Sequence, residues 1–204
     1  MKKLKDILNN VDLVEIIGSK EVEVREIKFD SRSVKVNDVF VALNGTITDG
    51  NKYIEDAIQN GAKTIVTEEK VSRKVENVTY IYVRNCSKTL ATIASNYYGN
   101  PSKDITLIGV TGTNGKTSVV YMLYQLFSSL GYQSGMISTI KNIVGFKHYQ
   151  STHTTPDPVS INRLLCKMRQ EGCKYCFMEV SSHAIAQNRI YGLDYSAALF
   201  TNLS

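Results

Sequence analysis

The positions of apolar residues along the chain predict an α/β protein. An amphipathic helix is predicted at the N-terminus from apolar residues at helical spacing, namely Leu4, Ile7, Leu8 and Val11. Beyond it, short apolar runs alternate with amphipathic segments that often end at a glycine. The predicted strands cover residues 22–29, 39–43, 63–67, 78–83, 105–110, 135–139, 175–180 and 197–202. The predicted helices cover residues 52–60, 87–98, 116–130 and 184–190, with one more between Pro158 and Gly172.

A break in this pattern predicts two domains. The helix predicted at 87–98, with Ser87 as its N-cap, is followed by Gly99 and then by Asn100-Pro101-Ser102. We therefore expect a small mixed α/β domain over residues 1–100 and a second domain over residues 101–204. Regular alternation of strand and helix in the second domain predicts a parallel sheet with covering helices.

Composition and charge narrow the class of protein. The chain has 204 residues, of which 43% are hydrophobic and 21% charged, so it is expected to fold rather than remain disordered. It has no apolar run near the roughly 18 residues of a membrane span, and polar residues interrupt any signal-peptide core after Met1. The net charge of +5 comes without a Lys/Arg run. We expect a cytoplasmic monomer without a nucleic-acid or membrane partner.

The cysteines predict no special chemistry. Cys173 and Cys176 form a lone CxxC pair, without the second ligand pair that zinc requires. A redox pair would open a helix, whereas this pair runs into a predicted strand. We expect reduced cysteines in the core.

The clearest chemical signal is a glycine-rich loop between a predicted strand and a predicted helix. Gly112-Thr-Asn-Gly-Lys-Thr117 has the residues of a phosphate-binding loop in the expected context. Backbone N–H groups of such a loop and the helix N-terminus bind phosphate, Lys116 reaches the β- and γ-phosphates, and the Thr117 hydroxyl binds Mg²⁺. The strict pattern needs a glycine at Val110, and the nearest one is Gly109, so the loop is a variant.

A carboxylate at the end of a second predicted strand is the next candidate. Glu179 follows Phe177-Met178 in the same half as the loop. Ligands of open parallel sheets bind beyond the carboxyl ends of the strands, so Glu179 is a candidate Mg²⁺ ligand. The alternative is a strand-end glutamate paired with a lysine. His183 is expected to form a structural hydrogen bond.

Two further polar segments allow more than one interpretation. The segment His153-Thr-Thr-Pro-Asp-Pro158 suits polar ligand contacts through its two hydroxyls, but equally suits the N-cap of the next helix. Asp30-Ser31-Arg32 and the turns after it, taken alone, predict only turns.

Together these segments resemble the Mur ligase family, which builds the peptide of bacterial cell-wall precursors, and the resemblance extends over essentially the whole chain. It is carried by Asp30-Ser31-Arg32, Asp38 to Ala42, Gly45 with Asp49-Gly50, Gly109 to Thr117, Thr154-Thr155-Pro156, Met178 to His183 with Gln187 and Arg189, and Phe200 to Ser204. The family loop begins with Gly-x-x-Gly as here, which explains the displaced first glycine. Within the family, the resemblance is strongest to the branch that attaches the third residue.

The resemblance implies a role for particular positions. Lys116 and Glu179 become candidate catalytic residues, and Thr117 and Glu179 candidate Mg²⁺ ligands. ATP contacts are implied for Gly112, Thr113, Asn114, Gly115, Lys116, Thr117 and Ser118. Uridine-nucleotide contacts are implied for Phe29, Ser31, Thr46, Ile47 and Thr48. Contacts to the muramoyl dipeptide are implied for Thr154, Thr155, Ser181, Gln187 and Arg189, and also for His153, which stands where relatives often carry Asn.

The implied activity is ATP-dependent amide formation between a UDP-muramoyl dipeptide and an amino acid, diaminopimelate or lysine, through an acyl phosphate. The family continues beyond the position matching Ser204, so we expect a fragment that lacks the amino-acid-binding domain and is inactive alone. The alternatives are another phosphate-loop enzyme, such as a kinase or GTPase, and a non-catalytic UDP-sugar- or nucleotide-binding module.

Overall fold

The computed structural model describes residues 1–45 and 49–203, and the chain divides into two compact units, Met1–Tyr97 and Tyr98–Ser204. The implied uridine-nucleotide contacts Thr46, Ile47 and Thr48 lie outside the described residues. No helix in the described part of the chain is long and apolar enough to cross a lipid bilayer.

The first unit is built on a five-stranded mixed sheet. Its strands are β2 (Leu13–Ile17), β4 (Ile27–Lys28), β5 (Val39–Val41), β6 (Thr64–Thr67) and β7 (Thr79–Val83). They lie in the order β2-β7-β6-β5-β4, with β2 antiparallel to β7 and the other pairs parallel. A separate antiparallel pair joins β1 (Lys2–Lys3) to β3 (Glu23–Val24). The helices are α1 (Leu4–Ile7), α2 (Ile54–Gln59) and α3 (Cys86–Tyr97), with 3₁₀ turns at Ser31–Ser33 and Gly50–Tyr53.

The first unit differs from the sequence prediction at its N-terminus. The helix predicted from Leu4 to Val11 is a single turn, because the chain turns through Asn10, at φ +60°, and continues into β2, which was not predicted. The strand predicted over 22–29 is divided between β3 and β4, which belong to different sheets. Helix α3 is capped by Asn85, whose Oδ1 accepts the N–H of Lys88 at 2.8 Å, so the prediction of Ser87 as N-cap is wrong.

The second unit contains a six-stranded sheet. Its strands are β8 (Thr106–Thr111), β9 (Ser134–Ile137), β10 (Lys141–Val144), β11 (Lys147–Gln150), β12 (Tyr175–Glu179) and β13 (Ala197–Phe200). They lie in the order β11-β10-β9-β12-β8-β13. The predicted parallel arrangement is confirmed for the four strands β9, β12, β8 and β13, whereas the antiparallel hairpin β10–β11 was not predicted.

Two faces of this sheet are covered by helices. The covering helices are α4 (Lys116–Ser129) and α5 (Pro158–Gln170), and a short helix, α6 (Ser182–Ala186), follows β12. Ile161, Leu165 and Met168 of α5 are fully buried against one apolar cluster, and Val120 of α4 belongs to a second cluster that includes Phe177. Since β8 and β12 are parallel and in register, with Val110 opposite Glu179, both end at the same edge of the sheet.

The cysteines are all free, as predicted. Cys173 and Cys176 are buried, and burial raises the pKa of both thiols, so they are protonated and unreactive. Within the described ranges, no group of three or more metal-ligating side chains occurs.

Candidate functional site

The turn after β8 leaves the N-terminus of α4 open. Gly112 and Gly115 have φ values of +133° and +83°, which favour glycine, and α4 begins directly after Gly115 without a side-chain cap. The first N–H groups of a helix have no partner within it, and they carry partial positive charge. The loop therefore presents donors to an anion beyond the carboxyl end of β8.

The segment after β13 holds this loop in place. The N–H groups of Thr113 and Asn114 donate to the backbone and side-chain oxygens of Asn202, at 2.9 and 3.1 Å. The Thr201 hydroxyl donates to the Asn114 carbonyl at 2.6 Å. A side chain at Gly112 would overlap the Thr201 hydroxyl, so the close approach of the two segments requires glycine there.

Gly109, the displaced first glycine, serves packing rather than the loop. It lies within β8, where a Cβ would come 2.8 Å from the ring of Tyr195. Gly112 and Gly115 are thus the glycines that shape the turn itself.

Lys116 places its ammonium group on the loop. Its Nζ donates to the carbonyls of Gly112 and Thr113 at 2.8 and 3.0 Å. The positive charge therefore lies beside the open helix N-terminus, where it can pair with an anion.

Glu179 ends β12 as a buried carboxylate, with 1% of its surface exposed. Its Oε2 accepts the Thr117 hydroxyl at 3.0 Å, and its Oε1 accepts the N–H of Thr139 at 2.8 Å. The Thr139 hydroxyl is 3.1 Å from Oε2. No lysine or arginine forms an ion pair with Glu179 among the described residues, so the alternative of a lysine-paired glutamate is wrong.

These side chains fit a magnesium ion by their chemistry. A buried carboxylate without a cationic partner is costly, and its neighbours Thr117 and Thr139 offer hydroxyl oxygens. Carboxylate and hydroxyl oxygens are the hard ligands that Mg²⁺ binds near phosphates.

Thr139 was not predicted as a site residue from the sequence. Its signal was its position two residues after β9, at the edge of the sheet where β12 ends in Glu179.

The residues implied for the muramoyl dipeptide mostly lie together beside Glu179. The Thr155 hydroxyl is buried, donates to the Glu179 carbonyl at 2.9 Å and accepts the Ser181 N–H at 3.0 Å. Arg189 donates to the Thr155 carbonyl at 2.9 Å and to Gln187 Oε1 through Nε and Nη2. Thr154 is bound through its hydroxyl to Thr139 at 3.0 Å. The guanidinium and hydroxyl groups suit an acidic ligand.

The alternative role of the segment His153 to Pro158 as a helix N-cap is confirmed, and the capping residue is Asp157. Asp157 caps α5, because its Oδ1 accepts the Ser160 N–H at 2.9 Å. His153 is exposed, and within the described residues the Thr152 hydroxyl is the only hydrogen-bond partner of its ring, outside the group around Glu179. The ring of His183 is also exposed and has no hydrogen-bond partner in the described part of the chain, so the expected structural bond is absent.

The first unit contains a separate cavity of about 770 Å³. Phe29, Ser31 and Tyr53 line it, and both aromatic side chains are partly exposed. Arg32 forms an ion pair with Asp30 at the same cavity, and its hydrogen bonds hold the pKa of that carboxyl below the ordinary value. Two of the residues implied for the uridine nucleotide, Phe29 and Ser31, thus lie in one cavity.

Comparisons with known proteins agree with this arrangement. Residues 23–98 match the model of the Mur ligase family, catalytic domain, and residues 110–204 match the model of the Mur ligase middle domain. The chain belongs to the Mur ligase family. The first match of this Mur ligase chain covers the first compact unit from residue 23 and ends one residue beyond it, and the second match lies within the second unit.

Several relatives of this chain share the name UDP-N-acetylmuramoyl-L-alanyl-D-glutamate--2,6-diaminopimelate ligase. The one from Phocaeicola vulgatus is 46% identical over 202 residues, which cover 99% of the chain and 42% of the relative. The one from Clostridium tetani is 41% identical over 204 residues, again 99% of the chain and 42% of the relative. The chain therefore spans less than half the length of these relatives.

Solved structures agree with the fold of this Mur ligase chain. A diaminopimelate ligase of the same name matches 100% of the chain and 40% of its own length, with a TM-score of 0.78 at 24% identity. The MurF ligase of Thermotoga maritima, solved in complex with ADP, matches 88% of the chain and 38% of its own length, with a TM-score of 0.59 at 25% identity.

Proposed function

We propose that this Mur ligase chain carries the nucleotide-binding and muramoyl-binding parts of a UDP-N-acetylmuramoyl-tripeptide synthetase. Such an enzyme joins the third amino acid to UDP-N-acetylmuramoyl-L-alanyl-D-glutamate. The names of the relatives at 41–46% identity favour diaminopimelate over lysine as that amino acid. Because ATP and UDP-linked precursors are cytoplasmic metabolites, we place the protein in the cytoplasm, and we expect a monomer.

The proposed reaction is an ATP-dependent ligation. The γ-phosphoryl group of ATP passes to the substrate carboxylate, which gives ADP and an acyl phosphate. The amine of the amino acid then attacks the acyl carbon, and phosphate leaves as the amide forms. Positioning and charge neutralisation account for most of the catalysis of such phosphoryl transfers.

The phosphate groups of ATP are assigned to the loop before α4. The N–H groups from Gly115 to Ser118 and the ammonium of Lys116 would donate to phosphate oxygens. Thr117 and Glu179 would hold Mg²⁺, which supplies positive charge against the phosphates when bound. Since Glu179 is buried and fixed by Thr139, its carboxylate is already oriented toward the loop.

The acidic substrate is assigned to the neighbouring groups. Thr154, Ser181, Gln187 and Arg189 would bind the dipeptide, while Thr155 is occupied within the protein and holds their backbone in place. His153 and the contacts at 46–48 remain predictions from the family resemblance. In the first unit, the cavity beside Phe29 and Ser31 would receive the uridine nucleotide.

The open N-terminus of α4 beside Lys116 is the observation that carries this proposal, and nucleotide binding tests it. We expect Lys116→Ala to weaken Mg²⁺–ATP binding roughly tenfold or more, since charge-assisted contacts contribute about 1.5–3 kcal/mol each. The measurement is isothermal titration calorimetry, with circular dichroism to verify the fold. Lys174→Ala, an exposed lysine just before β12 at the opposite end of the sheet, is the matched control.

Unchanged ATP affinity in Lys116→Ala would overturn the assignment of the loop. Because we expect the chain to be inactive alone, a phosphate-release assay with UDP-muramoyl dipeptide, ATP and diaminopimelate should show no release. Phosphate release that depends on the dipeptide would exclude a non-catalytic binding module and would show that the chain is active without further residues.

A further inference from the structure

Four side chains, joined in series by hydrogen bonds, connect the proposed nucleotide site to the proposed dipeptide site. The Thr117 hydroxyl contacts Glu179 Oε2, which also lies 3.1 Å from the Thr139 hydroxyl. The Thr139 hydroxyl lies 3.0 Å from that of Thr154. Thr139 is thus the residue through which Glu179 and Thr154 interact by their side chains.

The hydrogen atoms in this series of hydrogen bonds have a defined direction. A carboxylate only accepts hydrogen bonds, and a hydroxyl group has a single hydrogen to donate. Thr139 therefore donates its hydrogen to Glu179 Oε2, and Thr154 must donate its own hydrogen to Thr139. In this arrangement the Thr154 hydroxyl has no hydrogen left for a substrate.

We propose that Thr139 is a positioning residue that couples cation and nucleotide binding at Glu179 to binding of the acidic substrate at Thr154. This inference rests on the proposed function of both sites. When Glu179 Oε2 faces a divalent cation, the Thr139 hydrogen turns to its other neighbour, Thr154 Oγ1. The Thr154 hydrogen is then released and can be donated to a substrate carboxylate.

The backbone of Thr139 takes no part in this series of side-chain hydrogen bonds. Its N–H donates to Glu179 Oε1 at 2.8 Å, so a change of side chain leaves that oxygen held. Thr139→Val keeps the shape of the side chain and removes only the hydroxyl, whereas Thr139→Ser keeps the hydroxyl.

We expect binding of the nucleotide and binding of the dipeptide to strengthen each other, and we expect this coupling to depend on the Thr139 hydroxyl. Calorimetry measures the affinity for UDP-N-acetylmuramoyl-L-alanyl-D-glutamate with and without the non-hydrolysable β,γ-imido analogue of ATP and Mg²⁺. We expect the nucleotide to raise this affinity about fivefold or more in the unmodified chain, and the dipeptide to raise nucleotide affinity by the same factor. Replacing Mg²⁺ by EDTA should abolish the coupling.

Thr139→Val should bind the dipeptide without nucleotide as tightly as the unmodified chain binds it with nucleotide, because its Thr154 hydrogen is already free. A merely structural role would instead weaken binding in both states. Thr139→Ser should retain the coupling, and Thr106→Val, an exposed threonine at the other end of the sheet, should leave it unchanged.

The outcomes separate this inference from the proposed function. If the unmodified chain binds neither ligand, the proposed function is wrong and the inference fails with it. If it binds both ligands and Thr139→Val keeps the full coupling, only the role of Thr139 is overturned.

Discussion

At the scale of single residues, the loop before α4 depends on close contact with the segment after β13, and no local sequence pattern predicts this contact. Gly112 was predicted as a phosphate-loop glycine, but its strictest constraint is Thr201, which lies far along the chain. A Cβ at Gly112 would also come 2.9 Å from the Asn202 carbonyl. Both the positive φ and the crowding therefore favour glycine.

Gly112→Ala is expected to destabilise the chain more than Gly131→Ala. Both glycines have positive φ, at +133° and +88°, but a Cβ at Gly131 meets nothing within 4 Å. Each variant carries backbone strain of about 1 kcal/mol, and overpacking adds about 1–3 kcal/mol at Gly112 alone. Urea unfolding of both variants measures the difference, and equal losses of unfolding free energy would contradict the contact with Thr201 and Asn202.

At the scale of elements, the N-cap of helix α3 can be tested directly, because the sequence predicts Ser87 and the structure shows Asn85. Asn85→Ala should lower the unfolding free energy by about 1 kcal/mol, because it removes the side-chain bond to the Lys88 N–H at the start of α3. Ser87→Ala, within the first turn, should change it by less than about 0.5 kcal/mol. Thermal or urea unfolding measures both, and a larger loss for Ser87→Ala would restore Ser87 as the cap.

The elements that could be predicted have a strong local signal. Helices α4 and α5 follow a loop or a Pro turn, carry a clear apolar face and end before a glycine of positive φ. The strands β5 to β7 are rich in Val, Ile and Tyr, with Thr at some of their ends, and every position in them is buried.

The elements that could not be predicted depend on distant partners. Strand β2 begins only two residues after Val11, where the apolar positions at helical spacing end. Its extended conformation results from its pairing with the distant strand β7. The hairpin β10–β11 is short and largely polar, and its turn at Gly145-Phe146 has no Asn-Gly signal. For the same reason Glu179 could be predicted as a site residue and Thr139 could not, since the hydrogen bonds between them join the end of β12 to the turn after β9.

At the scale of the whole molecule, the chain consists of two compact units with separate cores. In the first unit, one buried cluster includes Phe40, Ile65 and Tyr80, all from neighbouring parallel strands. The Mur ligase models match each unit separately, at 23–98 and 110–204. We infer that each unit is a domain, and the cavity lined by Phe29 and Ser31 lies within the first unit.

Residues 1–100 are therefore expected to fold without the rest of the chain and to bind UDP without ATP. Their core and sheet are complete within the first unit, and Phe29 and Ser31 both line its cavity. An NMR titration with UDP at millimolar concentration should shift the resonances of these two residues. Ser31→Ala should weaken binding roughly 2- to 12-fold, as a lost neutral hydrogen bond of about 0.5–1.5 kcal/mol implies, while Ser87→Ala serves as the control. A folded segment whose resonances near Ser31 do not move with UDP would show that the cavity is not the uridine-nucleotide site.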